Sequence, residues 1–137
     1  MITFNPSTEA DIPVIREWAA ADIYHRNQSL PEWWITGQGL LSFCLHDNRG
    51  PVFYVRIDDP DETGYAELNV QFAPVEVVSK IRLTRAILQT LPKLIDTAKA
   101  YGSKGFIFDS ESPLLVDFMS RLGFGERDGR FYLTFGE

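Results

Sequence analysis

At 137 residues, 45% hydrophobic and 23% charged, the chain has the size and composition of a single globular domain that buries a core without covalent staples. A formal net charge of −6, with 13 basic residues scattered apart from Lys80, Arg82 and Arg85, lacks the clustered Lys and Arg that neutralise nucleic-acid phosphates. There is no apolar run near the ~18 residues of a bilayer span, no basic and apolar leader, and no partner for the single Cys44, so a cytoplasmic protein without membrane or nucleic-acid partners is expected.

Residues 2–4 are a short apolar run with strand character. Ser7, Thr8, Glu9 and Asp11 then supply caps ahead of apolar residues at helical spacing: Ile12, Ile15, Trp18 or Ala19, and Ile23. Pro13 is compatible with that helix because first-turn amides have no intrahelical acceptor. Residues 26–39 lack periodicity and contain Pro31, Trp33 and Trp34, which predicts a loop with a short helix. Two strands follow at 40–46 and 51–57 around the turn Asn48-Arg49-Gly50, with Phe53, Val55 and Ile57 facing opposite to Val52, Tyr54 and Arg56. An acidic, turn-rich stretch at 58–64 leads to an alternating strand at 65–72. Its apolar face carries Ala66, Leu68, Val70 and Phe72, and its polar face Tyr65, Glu67, Asn69 and Gln71.

Residues 75–101 switch to helical spacing and stop at Gly102, and Pro92 inside the pattern predicts a kink or break near Gln89 to Leu91. A short apolar strand at 105–109 precedes a helix opened by Ser112 and Pro113 that runs to Leu122. Asp128-Gly129 marks a hairpin between 125–127 and 130–135. The order β-α-loop-β-β-β-α-β-α-β-β describes one domain over 1–137, a mixed sheet covered by helices.

The segment ITFNPSTEADIPVIREW resembles the opening strand and helix of the GNAT N-acetyltransferases, where an apolar strand leads into Thr-x-x-Asp-Ile. The ending SPLLVDFMSRLGF, with a hairpin and GRFYLTF after it, is similar to that family's closing helix, Leu-Gly-Phe and antiparallel pair. The resemblance implies an α/β (α+β) fold with a mixed, mostly antiparallel central sheet flanked by helices. It also implies acetyl-CoA as acyl donor and an amine, on a small molecule or a protein, as acceptor. The family's pyrophosphate loop, Gln/Arg-x-x-Gly-x-Gly/Ala, lets backbone amides approach the phosphates at the positive end of the following helix. Here Ser79, Arg82 and Thr84 fall at its signature positions and both glycines are missing. Phosphates would then be met by side chains, Lys80, Arg82 and Arg85 with hydroxyls from Ser79 and Thr84. The alternative is a set of solvent-facing positions on an amphipathic helix. Met119 stands where the family often has a tyrosine general acid, and methionine transfers no proton. Ser112 stands in place of a common asparagine.

By the same resemblance Glu67 is the candidate base, with backbone amides near Val70 and Phe72 holding the developing oxyanion. Against this stands a solvated strand face in which Glu67 pairs with Arg56. Asp109 and Glu111 follow the strand that should splay from its neighbour and would hold or activate an ammonium group; equally, they suit turn and cap roles. Tyr24, Trp33 and Trp34 fall in the acceptor wall of the fold, where they contact a substrate or partner or cover the core edge. His25 and His46 have no metal-ligand spacing. Two functional readings follow. One is an N-acyltransferase using acyl-CoA. The other is a non-catalytic GNAT-fold binding or assembly module, like the short GNAT-like proteins of tailed phages, acting on a protein partner through an exposed Trp33 and Trp34 patch.

Overall fold

The computed structural model describes residues 2–21, 31–35, 41–74, 78–109 and 113–136. Its strands are β1 (Thr3–Pro6), β2 (Leu41–Asp47), β3 (Gly50–Ile57), β4 (Tyr65–Phe72), β5 (Gly105–Phe108), β6 (Gly125–Arg127) and β7 (Arg130–Thr134). The helices are α1 (Ile12–Ala21), α2 (Lys80–Ala100) and α3 (Pro113–Arg121), with short 3-10 turns at Glu9–Asp11 and Pro31–Trp34. The strands form one sheet in the order β1-β2-β3-β4-β5-β7-β6. Every pairing is antiparallel except β4 with β5. The expected mixed, mostly antiparallel α/β layout is therefore the observed one.

Local chemistry fixes several of these elements. Asp128 and Gly129 both have positive φ, 54° and 82°, the backbone that a two-residue hairpin of this hand requires. Gly105 opens β5 because a Cβ there would lie 2.4 Å from the Tyr65 ring, which crosses the strand at that point. At the start of α1, the Thr8 amide donates to Asp11 Oδ2 at 2.8 Å and the Tyr54 hydroxyl donates to Asp11 Oδ1 at 2.7 Å. Asp11 thus joins the helix entry to the middle of β3.

The long helix departs from expectation in two ways. It begins at Lys80, behind the cap Ser79, and it runs unbroken to Ala100 through Pro92. Pro92 lies on the exposed face of α2, beside Leu88, so the carbonyl deprived of its amide partner is turned toward water rather than into the core. The predicted break is absent for that reason.

The sheet separates two layers. Phe53, Leu68 and Phe108 pack under α2 and α3 with Leu94 and Met119. On the opposite face Tyr54 meets Trp18 of α1 at 5.2 Å between ring centroids. Cys44 lies beside Tyr54 across β2 and β3, and burial pushes its thiol up to about 11, which leaves it unreactive. No described helix is long and apolar enough to cross a membrane.

Candidate functional site

The parallel pair holds a gap. Pairing between β4 and β5 runs from Tyr65 opposite Gly105 to Glu67 opposite Ile107, whereas β4 continues to Phe72. On its other edge β4 stays paired with β3 as far as Phe53 opposite Phe72. The Asp58 amide donates to the Glu67 carbonyl, and the Ala73 amide to the Val52 carbonyl, both at 3.1 Å. Those two bonds assign the odd-numbered residues of β4 to β3. In an antiparallel pair each residue turns its N–H and C=O the same way and successive residues alternate. The backbone groups of Val70 and Phe72 are therefore turned away from β3, toward the gap. Gln71, fully buried, donates from Nε2 to the Phe72 carbonyl at 3.1 Å.

A narrow cleft with a cavity volume of about 20 Å³ lies on the apolar side of this gap. Leu68, Val70 and Phe72 line it from β4, and Ile87, Thr90 and Leu94 from α2. Phe108 of β5 and Met119 of α3 form the far wall. Met119 is an apolar wall residue where the resemblance would put an acid. Thr90 is the exception in this lining. Thr84 and Thr97 on the same helix each donate to the carbonyl four residues earlier, both at 2.8 Å. The Thr90 hydroxyl is buried and has no hydrogen-bond partner.

The other face of β4 is polar. Arg56 pairs with Asp58 at 2.7 Å, donates to the Trp33 carbonyl, and stacks over the Trp33 ring at 3.9 Å. The pairing of Glu67 with Arg56 is not formed, because the guanidinium is already engaged in those three contacts. Among the described residues, none makes a hydrogen bond or ion pair with the Glu67 side chain. Asn69, two residues on, has a buried Nδ2 without a partner.

Asp109, just past β5, lies opposite Arg130 and takes hydrogen bonds from its Nε at 3.1 Å and its Nη2 at 2.6 Å. The Arg130 pKa is raised mainly by the Asp109 hydrogen bonds, with a smaller contribution from the Glu67 charge. Trp34 is buried and Trp33 packs edge-on against it at 5.1 Å, so the two do not form an exposed apolar patch. Tyr24, Glu111 and Ser112 lie outside the described residues.

At the start of α2 the side chains are largely committed to the protein itself. The Ser79 hydroxyl accepts from the Arg82 amide at 3.3 Å, and Thr84 bonds back to Lys80. Arg82 grips Asp47 in a two-pronged pair, Nε at 2.5 Å and Nη2 at 2.7 Å, at the turn between β2 and β3. The hydrogen bonds from Arg82 hold the Asp47 carboxyl at about 2, below its ordinary range. Lys80 and Arg85 are exposed and form no ion pair among the described residues. Sequence reasoning singled out neither Asp47, Thr90 nor Arg130 and placed Gln71 only on the polar face of its strand; Arg130 lies within GRFYLTF, but only chain folding sets it against Asp109. No group of three or more His, Cys, Asp or Glu side chains that could hold a metal occurs among the described residues.

No family model matches the chain, and no curated protein sequence matches it. Solved structures do match. The spermidine N-acetyltransferase of Vibrio cholerae, in complex with CoA and spermine, is 16% identical with a TM-score of 0.74, over 97% of this chain and 95% of that one. An aminoglycoside acetyltransferase in complex with coenzyme A is 14% identical with a TM-score of 0.73, over 98% and 95%. A putative acetyltransferase of Salmonella typhimurium with acetyl-CoA is 19% identical with a TM-score of 0.68, over 99% and 95%. With one parallel pair among the described strands and matches spanning nearly its whole length, the chain has the GNAT fold.

Proposed function

We propose that this protein is an N-acyltransferase that moves an acyl group from a coenzyme A thioester to an amine. The observation that carries the reading is the gap between β4 and β5. It has the backbone groups of Val70 and Phe72 turned into it, an apolar cleft on one side and, on the other, the Glu67 carboxylate, which has no hydrogen-bond or ion-pair partner among the described residues. The neighbours solved with coenzyme A or acetyl-CoA support the choice of donor. The unpartnered Thr90 hydroxyl in the cleft fits a bound ligand.

The donor supplies an activated thioester, and the protein's residues do the rest. The amides of Val70 and Phe72 hold the thioester oxygen as negative charge builds on it. Glu67 takes the proton of the amine, directly or through water. Asp109 fixes Arg130 beside Glu67, and Trp33, backed by Trp34, contributes to the acceptor wall. Lys80, Arg85 and the first-turn amides of α2 meet the phosphates, while Ser79 and Thr84 support the helix and Arg82 anchors it to Asp47. Met119 donates no proton, so the departing thiolate takes its proton from water and leaves as the thiol.

The second reading, a non-catalytic binding or assembly module, draws on two observations: Arg82 is committed to Asp47, and Met119 occupies the acid position. Calorimetric titration with acetyl-CoA at low salt separates the two. Saturable micromolar binding, weakened by Lys80→Ala with Arg85→Ala, is the expected result. No binding at millimolar ligand would remove the acyltransferase reading and leave the module.

A further inference from the structure

The polar face of the sheet continues past Glu67 onto β5, β7 and β6. Residues opposite one another on neighbouring strands share a face. Glu67 therefore lies in one row with Ile107, Tyr132 and Gly125, and Tyr65 in the next row with Gly105 and Thr134. Arg127, two residues past Gly125, is on the same face. The Tyr65 ring crosses Gly105, and its hydroxyl meets Thr134 Oγ1 at 2.7 Å. Tyr132 packs edge-on against Tyr65 at 5.4 Å. Two cations sit on these rings, Arg127 over Tyr132 at 4.4 Å and Lys104 over Tyr65 at 5.5 Å. Hydrogen bonds with Thr134 and Arg127, helped by the charges of Arg127 and Lys104, hold the Tyr65 phenol below its ordinary pKa.

Among the described residues, neither Lys104 nor Arg127 forms an ion pair. The acids nearest in the fold are engaged elsewhere: Asp58 with Arg56, Asp61 with Thr63, and Asp109 with Arg130. On a chain of net charge −6, two such cations beside two hydroxyls make a local patch of the opposite sign. The patch lies on the face of β4 turned away from α2, so the donor's phosphates do not reach it. Tyr132 is two strand spacings from Glu67, roughly 10 Å.

Resting on the reading of this protein as an acyltransferase with Glu67 as base, we infer that its acceptor is an amine that also carries an anionic group, a phosphate or a carboxylate. The amine meets Glu67. The anionic group lies between Lys104 and Arg127 and accepts a hydrogen bond from the Tyr65–Thr134 hydroxyl pair.

Calorimetry with four amines of similar length tests this without relying on turnover: 5-aminopentyl phosphate, 6-aminohexanoate, 5-aminopentan-1-ol and 1,5-diaminopentane. At low salt the phosphate should bind about tenfold tighter than the neutral alcohol, and the carboxylate about threefold, as one or two exposed ion pairs provide. The diamine should bind no tighter than the alcohol. Lys104→Gln with Arg127→Gln should bring both anionic amines down to the affinity of the alcohol, and the thermal midpoint of that variant reports that it is folded. The tighter of the two anionic compounds identifies the group. Binding of the alcohol or the diamine as tight as that of both anionic amines, or an anion preference that survives in the double variant, overturns the inference. Thiol release from acetyl-CoA is read separately. Equal rates with anionic and neutral amines overturn the inference and leave the acyltransferase reading in place. Failure of acetyl-CoA to bind removes that reading, and selective binding of the anionic amines then marks a ligand site without acyl transfer.

Discussion

On one face of β4, Leu68, Val70 and Phe72 turn toward α2 and α3; on the other, Glu67, Asn69 and Gln71 share a surface with Arg56. The two faces alternate along the same eight residues, yet they fail to close in different ways. The apolar face leaves a cleft where two strands part, so its side chains lose packing partners. The polar face leaves a carboxylate that makes no hydrogen bond or ion pair among the described residues, and a buried amide without an acceptor. A strand under selection for stability alone would fill the first and pair or remove the second. The coincidence of both defects at one gap is what the proposed reaction accounts for.

The sharpest way to break the comparison is at Glu67. In the proposed reaction Glu67→Gln keeps the size of the side chain and removes its basicity. Turnover should then fall about 1,000-fold, within the range for loss of a general base, while calorimetric donor affinity stays the same. Unchanged turnover would return Glu67 to the status of a solvated strand residue.

Stability measurements should separate the faces next. Leu68→Ala removes a buried side chain from the apolar wall and is expected to cost about 3 kcal/mol in urea unfolding. Asn69→Leu should go the other way, by about 1 kcal/mol, because it removes a buried donor that has no acceptor. A destabilised Asn69→Leu protein would mean that the amide is serving the fold.

Much of this arrangement was legible beforehand, and what was hidden has a common cause. The alternation at 65–72 identified β4 and sorted its faces, because a two-residue period survives in sequence whatever the strand packs against. Asp128-Gly129 identified its hairpin through backbone chemistry confined to two residues. Pro92 misled because its effect depends on which side of α2 faces water, a tertiary fact. Arg82 was read as a free cation because its partner Asp47 lies 35 residues earlier in the chain. Thr90 was invisible because nothing local distinguishes it from Thr84; the difference is one unmade hydrogen bond.

The two arginine–aspartate pairs extend the comparison to smaller effects. Arg82 and Asp47 are mostly buried, with side chains 16% and 14% exposed. The folded-state pKa of Asp47, about 2, lies below the ordinary carboxylate value. Its contribution is therefore complete above the ordinary value and is lost as pH falls toward 2. After allowance for screening this amounts to about 1 kcal/mol between pH 5 and 2. Asp47→Asn should flatten the acid limb of the unfolding curve by that amount; an unaltered limb would mean that the pair is open in solution.

Arg130 and Asp109 are 41% and 52% exposed, and there the smallest stability effect is expected. Asp109→Asn should change unfolding free energy by no more than about 0.5 kcal/mol, since exposed pairs gain little over hydration. Its effect on turnover is the more telling quantity. With Asp109 already accepting from Arg130, Glu67 is the carboxylate free to take a proton, and Asp109→Asn should lower turnover less than tenfold, mainly through a displaced Arg130. A loss equal to that of Glu67→Gln, at unchanged stability, would mean that the ion pair opens during the reaction. The base would then sit on the β5 side of the gap.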